Sequence, residues 1–569
     1  MDENKNLIIA MTLSFLIFLG WQHFFAPESE KIVQQDTAHN TTAHASTQRA
    51  SHVPLMLEPA HKKAVVSPSP RLEINAPELQ GSLALRGGCI DDIFLKNFRQ
   101  CVNPDSAPVR LLSDYSHERP FFITLGWHLQ EGAMPFPEED TVWAVSAPKL
   151  EHDKPVTLTW QNGQGVTFER VLTVDKNFLL AVKQRIINNS PIALKVRPFA
   201  MIEGIPSADI KGQWTFHEGA VGFLNDRLEE KSFETIHKEG TFTFSSNGGW
   251  AGITEKYWLV AFLAEHGKQQ ETIYRYVPEE QHYRVETQGA DVMVPQGGVS
   301  ESAYHFYIGA KNVQLLDGYE EQLGVKHFDL AIDFGYLYFL TRPLFYTLVY
   351  MKDLLGGNMG GCIILLTILI KLLLFPLANR SYRAMSRMKK LQPKVQELQK
   401  RYQDDKPRMS QELMALYKRE KANPVGGCLP QLIQFPVLFA LYKVFLVSIE
   451  MRHASLWWIK DLSAPDPFWI TNLFGIIPWT PFEFLQIGIW PLLMGATMFI
   501  QQKMSPPPAD PAQAKMFLIM PFMFTFMLAQ LPAGLVMYWT WSNILSILQQ
   551  WMITKMDERR RAQEAARHT

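Results

Sequence analysis

The sequence predicts a multi-domain chain in which a large all-β sandwich is joined to a polytopic α-helical membrane domain, with six spans in all. Three observations carry this reading. Apolar runs gather in the first 25 residues and again after about residue 330, although the mean hydropathy of the whole chain is near zero. Between them, runs such as "VTLTW", "GVTFERVLTV" and "AYHFYIGA" alternate apolar with polar residues and are separated by Asn, Gly, Pro and Asp turns. Lys and Arg also concentrate in short connections between apolar segments, as they do on the cytoplasmic side of a membrane.

Residues 1–26 hold "NLIIAMTLSFLIFLGWQHFF", about 19 mostly apolar residues, enough for a ~30 Å hydrocarbon core. The preceding "MDENKN" is not basic and "FFAPESE" offers no small-x-small cleavage pattern, which favours an uncleaved anchor over a signal peptide. Residues 27–70 turn to Ser, Thr, His, Gln, Ala and Pro, with too few large apolar side chains to order a core, and read as a flexible linker. Residues 71–318 then form the β-domain. Residues 319–358, with Asp333, Arg342 and Lys352 among aromatics and leucines, suit a connector and an interfacial amphipathic helix.

The remaining spans are expected near 359–378, 427–449, 485–502, 516–531 and 535–553, within a five-span core at 359–555. Residues 379–424 carry 13 basic residues, among them Arg380, Arg383, Arg387, Lys389, Lys390 and Lys394, against five acids. This loop is therefore cytoplasmic, and helical periodicity on either side of "DDKP" makes it a helical hairpin. Its basic arm reads either as a solvated positive-inside face or as a landing site for anionic lipid or ribosomal RNA. The basic tail, 556–569, points the same way. Both termini are then cytoplasmic, and the β-domain lies outside, in the periplasm of a two-membrane bacterium.

Lys371 is the residue that asks for a function. It lies nine residues from either end of the apolar stretch "CIILLTILIKLLLFPLANR" at 362–380, roughly 13 Å from both surfaces at ~1.5 Å per residue. Insertion scales charge a central lysine about 2.5–3.5 kcal/mol, so it should face protein, water or an interface reached by its stem. Thr367, one turn earlier, extends a polar stripe, and Gln434, Gln530, Ser542 and Asn543 offer neutral company from other spans. No carboxylate sits deep in any span, which argues against a proton relay.

Other chemistry is sparse. The four cysteines form no C-x-x-C pair, and Cys89 with Cys101 could be bridged or free. No Walker loop, G-x-S-x-G or H-E-x-x-H occurs, and His282, His305 and Glu301 in the β-domain are no more than chance would place among 16 histidines and 56 acids. No metal and no cofactor are expected. A transporter or channel would favour matched repeats, of which none is visible. A membrane-anchored periplasmic sugar enzyme is the other alternative.

Four segments make the pattern specific: "LLTILIKLLLFPLANRSY" at 365–382, "NPVGGCLPQLIQFPVLFALY" at 423–442, "MGATMFIQQKMSP" at 494–506 and "MPFMFTFMLAQLPAGLVMYWTWSNILSILQQ" at 520–550. With the anchor and the large β-domain, the whole chain resembles the YidC membrane-protein insertase family, of the Gram-negative type. The resemblance implies an insertase and chaperone, not an enzyme, with a five-helix core around a hydrophilic groove open to cytoplasm and lipid. Lys371 takes the place of the groove's positive residue, usually Arg in the family; an ammonium lacks the guanidinium fork. Thr367, Gln434 and Ser542 take polar lining positions. Phe435, Pro436 and Leu438, with Gln530, Tyr538 and Trp539, match the substrate-contacting region, where Gln530 replaces a commonly aromatic residue. The β-domain resembles a mutarotase-like supersandwich. Implied partners are nascent membrane proteins, membrane lipids, the Sec translocon, and the ribosome and targeting receptor through hairpin and tail.

Overall fold

The computed structural model describes residues 69–205, 216–402, 405–420, 429–479, 481–482, 485–505 and 511–568. The expected anchor at 1–26 and nearly all of the linker at 27–70 lie outside these residues.

Eighteen strands run from Arg71 to Ala310, and their alternation is the reason they pair as they do. In Val166–Val174 every second residue turns inward, so Val166, Phe168, Leu172 and Val174 enter the core while Thr167, Glu169 and Thr173 face out. Arg170 falls in an inward slot. It stays there because its guanidinium donates to the carbonyls of Gly87, Gly88 and Leu125 and stacks on Trp143 at 4.3 Å; burial lowers it to about 10. Strand Leu179–Asn188 pairs antiparallel with Val166–Val174 and with Gly298–Ala310, and the 20-residue strand Trp258–Val277 pairs with three others.

Ten helices are described: α1 (Phe233–Glu239), α2 (Val313–Leu323), α3 (Tyr338–Leu354), α4 (Met359–Leu373), α5 (Phe375–Arg401), α6 (Lys406–Arg419), α7 (Leu429–Val447), α8 (Ile489–Met504), α9 (Pro511–Met527) and α10 (Ala533–His568). Among the described residues no single helix is long and apolar enough to cross a membrane alone; α4 and α5 are so together, with a 67° bend between them. The straight span expected over 359–378 is thus corrected. Pro376 has no amide hydrogen and its ring collides with a carbonyl one turn back, so α4 ends at Leu373 and α5 starts afresh. Lys371 moves from mid-span to the last turn of α4, where the helix dipole favours a cation. The later helices also shift: α8 begins at Ile489 rather than 485, α9 covers 511–527 rather than 516–531, and α10 continues unbroken through the tail. Gly495 lets α8 approach α9 closely, since a Cβ there would overlap Thr525 Oγ1.

The β-domain is fastened to the helices by charge. Asp333 Oδ2 accepts from Lys443 Nζ of α7 and from the His217 amide, both at 2.7 Å. Glu450 accepts from Asn312 at 3.1 Å and pairs with Lys352 of α3. Arg452 reaches back to the carbonyls of Arg99 and Gln100 and lies over the Trp258 ring. Lys311, 2% exposed, lies on the β-domain side of this seam and donates to Thr254 Oγ1 of the same domain at 3.1 Å.

Burial pushes Lys311 down from 10.5 to about 8. Below that value the folded and unfolded chains both hold the proton and the penalty is complete; between the two values only the unfolded chain holds it, so this contribution to stability rises with pH. Lys311→Met should therefore exceed the parent in stability by about 3 kcal/mol at pH 7, with the gap closing towards pH 10. Thermal unfolding in detergent at several pH values checks this, and a gap independent of pH would contradict it.

Candidate functional site

Three helices meet at Lys371. Its Nζ donates to Ser546 Oγ of α10 at 2.7 Å and to Gln434 Oε1 of α7 at 3.2 Å. Gln434 Nε2 in turn donates to Ser542 Oγ at 2.7 Å, and Ser546 Oγ is also 2.9 Å from the Ser542 carbonyl, one turn earlier. Both of these partners of the ammonium are neutral oxygens, so the cluster solvates the charge without cancelling it. Tyr538 and Tyr382 place their hydroxyls beside Ser542 and Ser546. Thr367 is buried, and its hydroxyl bonds back to the Ile363 carbonyl at 2.6 Å rather than to the lysine.

The apolar residues divide into two sets. Phe435 and Phe439 on α7 are 40% and 52% exposed, with Pro436 exposed between them and Leu438 half-buried against the core. Phe522, Met523, Phe526 and Met527 on α9 are exposed as well, and Gln530 is exposed just beyond that helix. Tyr538 and Trp539 are buried instead: Tyr538 meets Phe445 edge-on at 6.4 Å and Trp539 meets Phe524 at 6.0 Å. They hold α10 in place, and α7 and α9 share the outward apolar surface with α4, where Leu372 and Leu373 are exposed, and with the far part of α10, where Leu548, Trp551 and Met552 are.

Comparison with known proteins decides what kind of chain this is. Residues 71–347 match the family described as the YidC periplasmic domain, and residues 350–560 match the 60Kd inner membrane protein family. The membrane protein insertase YidC of Beijerinckia indica is 42% identical over 97% of this chain and 96% of its own length. That of Rickettsia akari is 41% identical over 97% and 99%. The chain belongs to the YidC membrane protein insertase family. A crystal structure of an active YidC insertase with its first transmembrane domain resolved covers 85% of this chain and 92% of its own, at 16% identity and a TM-score of 0.37.

On this YidC-family chain the basic hairpin is α5 and α6, joined between Tyr402 and Asp405. Val395, Leu413 and Leu416 make a small core of its own, with Leu398, Met409 and Tyr417 around it. Arg380, Arg383, Arg387, Lys390 and Lys394 recur every three or four residues along α5, which puts them on one face, and Lys389 stands exposed next to it. Lys394 is engaged with Glu420 at 2.8 Å. In the β-domain the three residues singled out by type are separated. Glu301 pairs with Lys183 at 2.6 Å and Arg185 at 3.2 Å, His305 lies further along the same strand, and His282 meets Glu203 at 3.1 Å. Cys89 and Cys101 are free thiols.

Ser546 escaped sequence reading, although its place one turn after Ser542 in "SNILSILQQ" was a usable signal. Ser546→Ala should cost about 1–2 kcal/mol where Lys371 is present and almost nothing in a Lys371→Met background. A double-mutant cycle on detergent unfolding measures the coupling, and equal costs in both backgrounds would remove the bond from the account.

Proposed function

We infer that the protein inserts and folds membrane proteins in the inner membrane, with Lys371 as the fixed charge that receives their polar segments. The observation that carries this reading is an ammonium on α4 supported by α7 and α10 through neutral oxygens. Such a group keeps its attraction for an incoming anion, whereas a built-in carboxylate would have consumed it. A polar segment entering a bilayer loses its hydration at several kcal/mol per unsatisfied group. Thr367, Gln434 and Ser542, with Ser546, would line a hydrated step beside the charge and lower that barrier. The exposed faces of α7 and α9, with Phe435, Pro436, Leu438 and Gln530, would guide the apolar part of the client into lipid, while Tyr538 and Trp539 would support this surface from behind. Hydrophobic partitioning drives the transfer, and the membrane potential adds about 2.3 kcal/mol per charge per 100 mV.

The β-domain lies in the periplasm and both termini in the cytoplasm, so the basic stripe of α5 and the tail of α10 face the ribosome, a targeting receptor and anionic lipid. The chain works alone or beside the Sec translocon. No nucleotide and no cofactor enter the scheme.

In cells depleted of the parent protein, Lys371→Glu should slow insertion of clients with acidic translocated segments by about tenfold or more, the effect of ~1.4 kcal/mol in the barrier. Lys371→Arg should keep most of the activity. Protease protection of radiolabelled clients reads both, and full insertion by the Glu variant would take the charge out of the mechanism.

A further inference from the structure

Far from Lys371, the β-domain brings three ligand-bearing side chains to one point. Glu203 is the second-last residue of strand Leu194–Gly204 and lies opposite Arg284 of the neighbouring strand, which His282 begins. The turn before it carries Gln281 at φ 57°, and this left-handed residue separates Glu280 from His282 while both return to the same site. Glu203 is fully buried, the His282 side chain is 5% exposed and that of Glu280 15%. Glu203 Oε1 is 3.1 Å and Glu280 Oε2 3.4 Å from the same His282 nitrogen, Nδ1. The two carboxyl groups are also within hydrogen-bond reach of each other.

One proton on Nδ1 cannot be directed at two carboxylates at once, and two buried carboxylates in contact need a shared proton or a cation between them. A cation suits the spacing. Metal–ligand bonds of about 2.0–2.2 Å in a tetrahedron set the ligand atoms roughly 3.3–3.5 Å apart, close to the two distances found. Arg284 Nε donates to Glu203 Oε2 at 2.5 Å, the second oxygen, and so orients the carboxylate while leaving Oε1 to point at the site. Phe122 and Tyr115 flank the imidazole and supply an apolar wall.

We propose that Glu203, Glu280 and His282 bind a single divalent transition-metal ion of the zinc class. An imidazole nitrogen in the donor set favours zinc over magnesium or calcium, and three protein ligands leave a fourth position for water. This departs from the expectation that the chain holds no metal. Glu203 is 79 residues from His282 along the chain, so no short motif announces the set.

The full-length chain in detergent, stripped with chelator and dialysed against micromolar Zn2+, should retain one zinc more than Glu203→Gln or His282→Ala. Cobalt in place of zinc should give the visible absorption of a tetrahedral ion in the parent and not in the variants. Should His282→Ala fail to fold, Glu280→Gln on the turn decides with the same two readouts. Equal zinc content in parent and folded variants, or displacement of zinc by equimolar calcium, would overturn the proposal and leave the cluster as a proton-sharing ion network.

Discussion

An ammonium removed from bulk water must be given oxygen atoms, and the helical half of this protein is organised around that requirement. Lys371 can be satisfied only if α4, α7 and α10 converge within hydrogen-bond distance of one another's side chains. The break before Pro376 fixes which turn of α4 carries the lysine, and the buried rings of Tyr538 and Trp539 fix the rotation of α10 that turns Ser542 and Ser546 towards it. The charge is thus a constraint on packing as much as a functional group. A neutral residue at 371 would leave the same helices with fewer reasons to meet.

The β-domain uses charge for a different end. Its apolar core continues through Phe328 and Phe334 into the helices, and Asp333, Glu450 and Arg452 add charged contacts, each partnered across the seam. Paired groups of this kind specify one arrangement at little net gain in stability. Lys311 shows the cost side, since burial there drives the ammonium towards its neutral form.

Much of this was legible in the sequence. Alternation marked the β-domain, Lys/Arg asymmetry marked the hairpin, and the isolated Lys371 pointed to the site with Gln434 and Ser542 as company. Helix ends were less legible. Apolar composition continues smoothly through "LLLFPLA", so hydropathy ran past the point where the backbone of Pro376 stops the helix. Thr367 illustrates a second limit: position on a helix face does not tell whether a hydroxyl will bond outward or return to its own backbone. Tyr538 and Trp539 illustrate a third, because an aromatic pair at a helix–helix contact has the same sequence signature as one on an open face. His282 was picked out by type, but its pairing with Glu203 lay beyond reach, since strand register across many residues brings the two together.

The length of α10 has a mechanical consequence. Its 36 residues contain no proline and, after Gly534, no glycine, so nothing in it acts as a hinge. From Ser546 to His568 the helix is a rod of roughly 33 Å at ~1.5 Å per residue. A pull or twist applied to the basic end is not absorbed on the way. It arrives at the two serines beside the lysine, which makes the tail a handle on the polar cluster as well as a patch of charge.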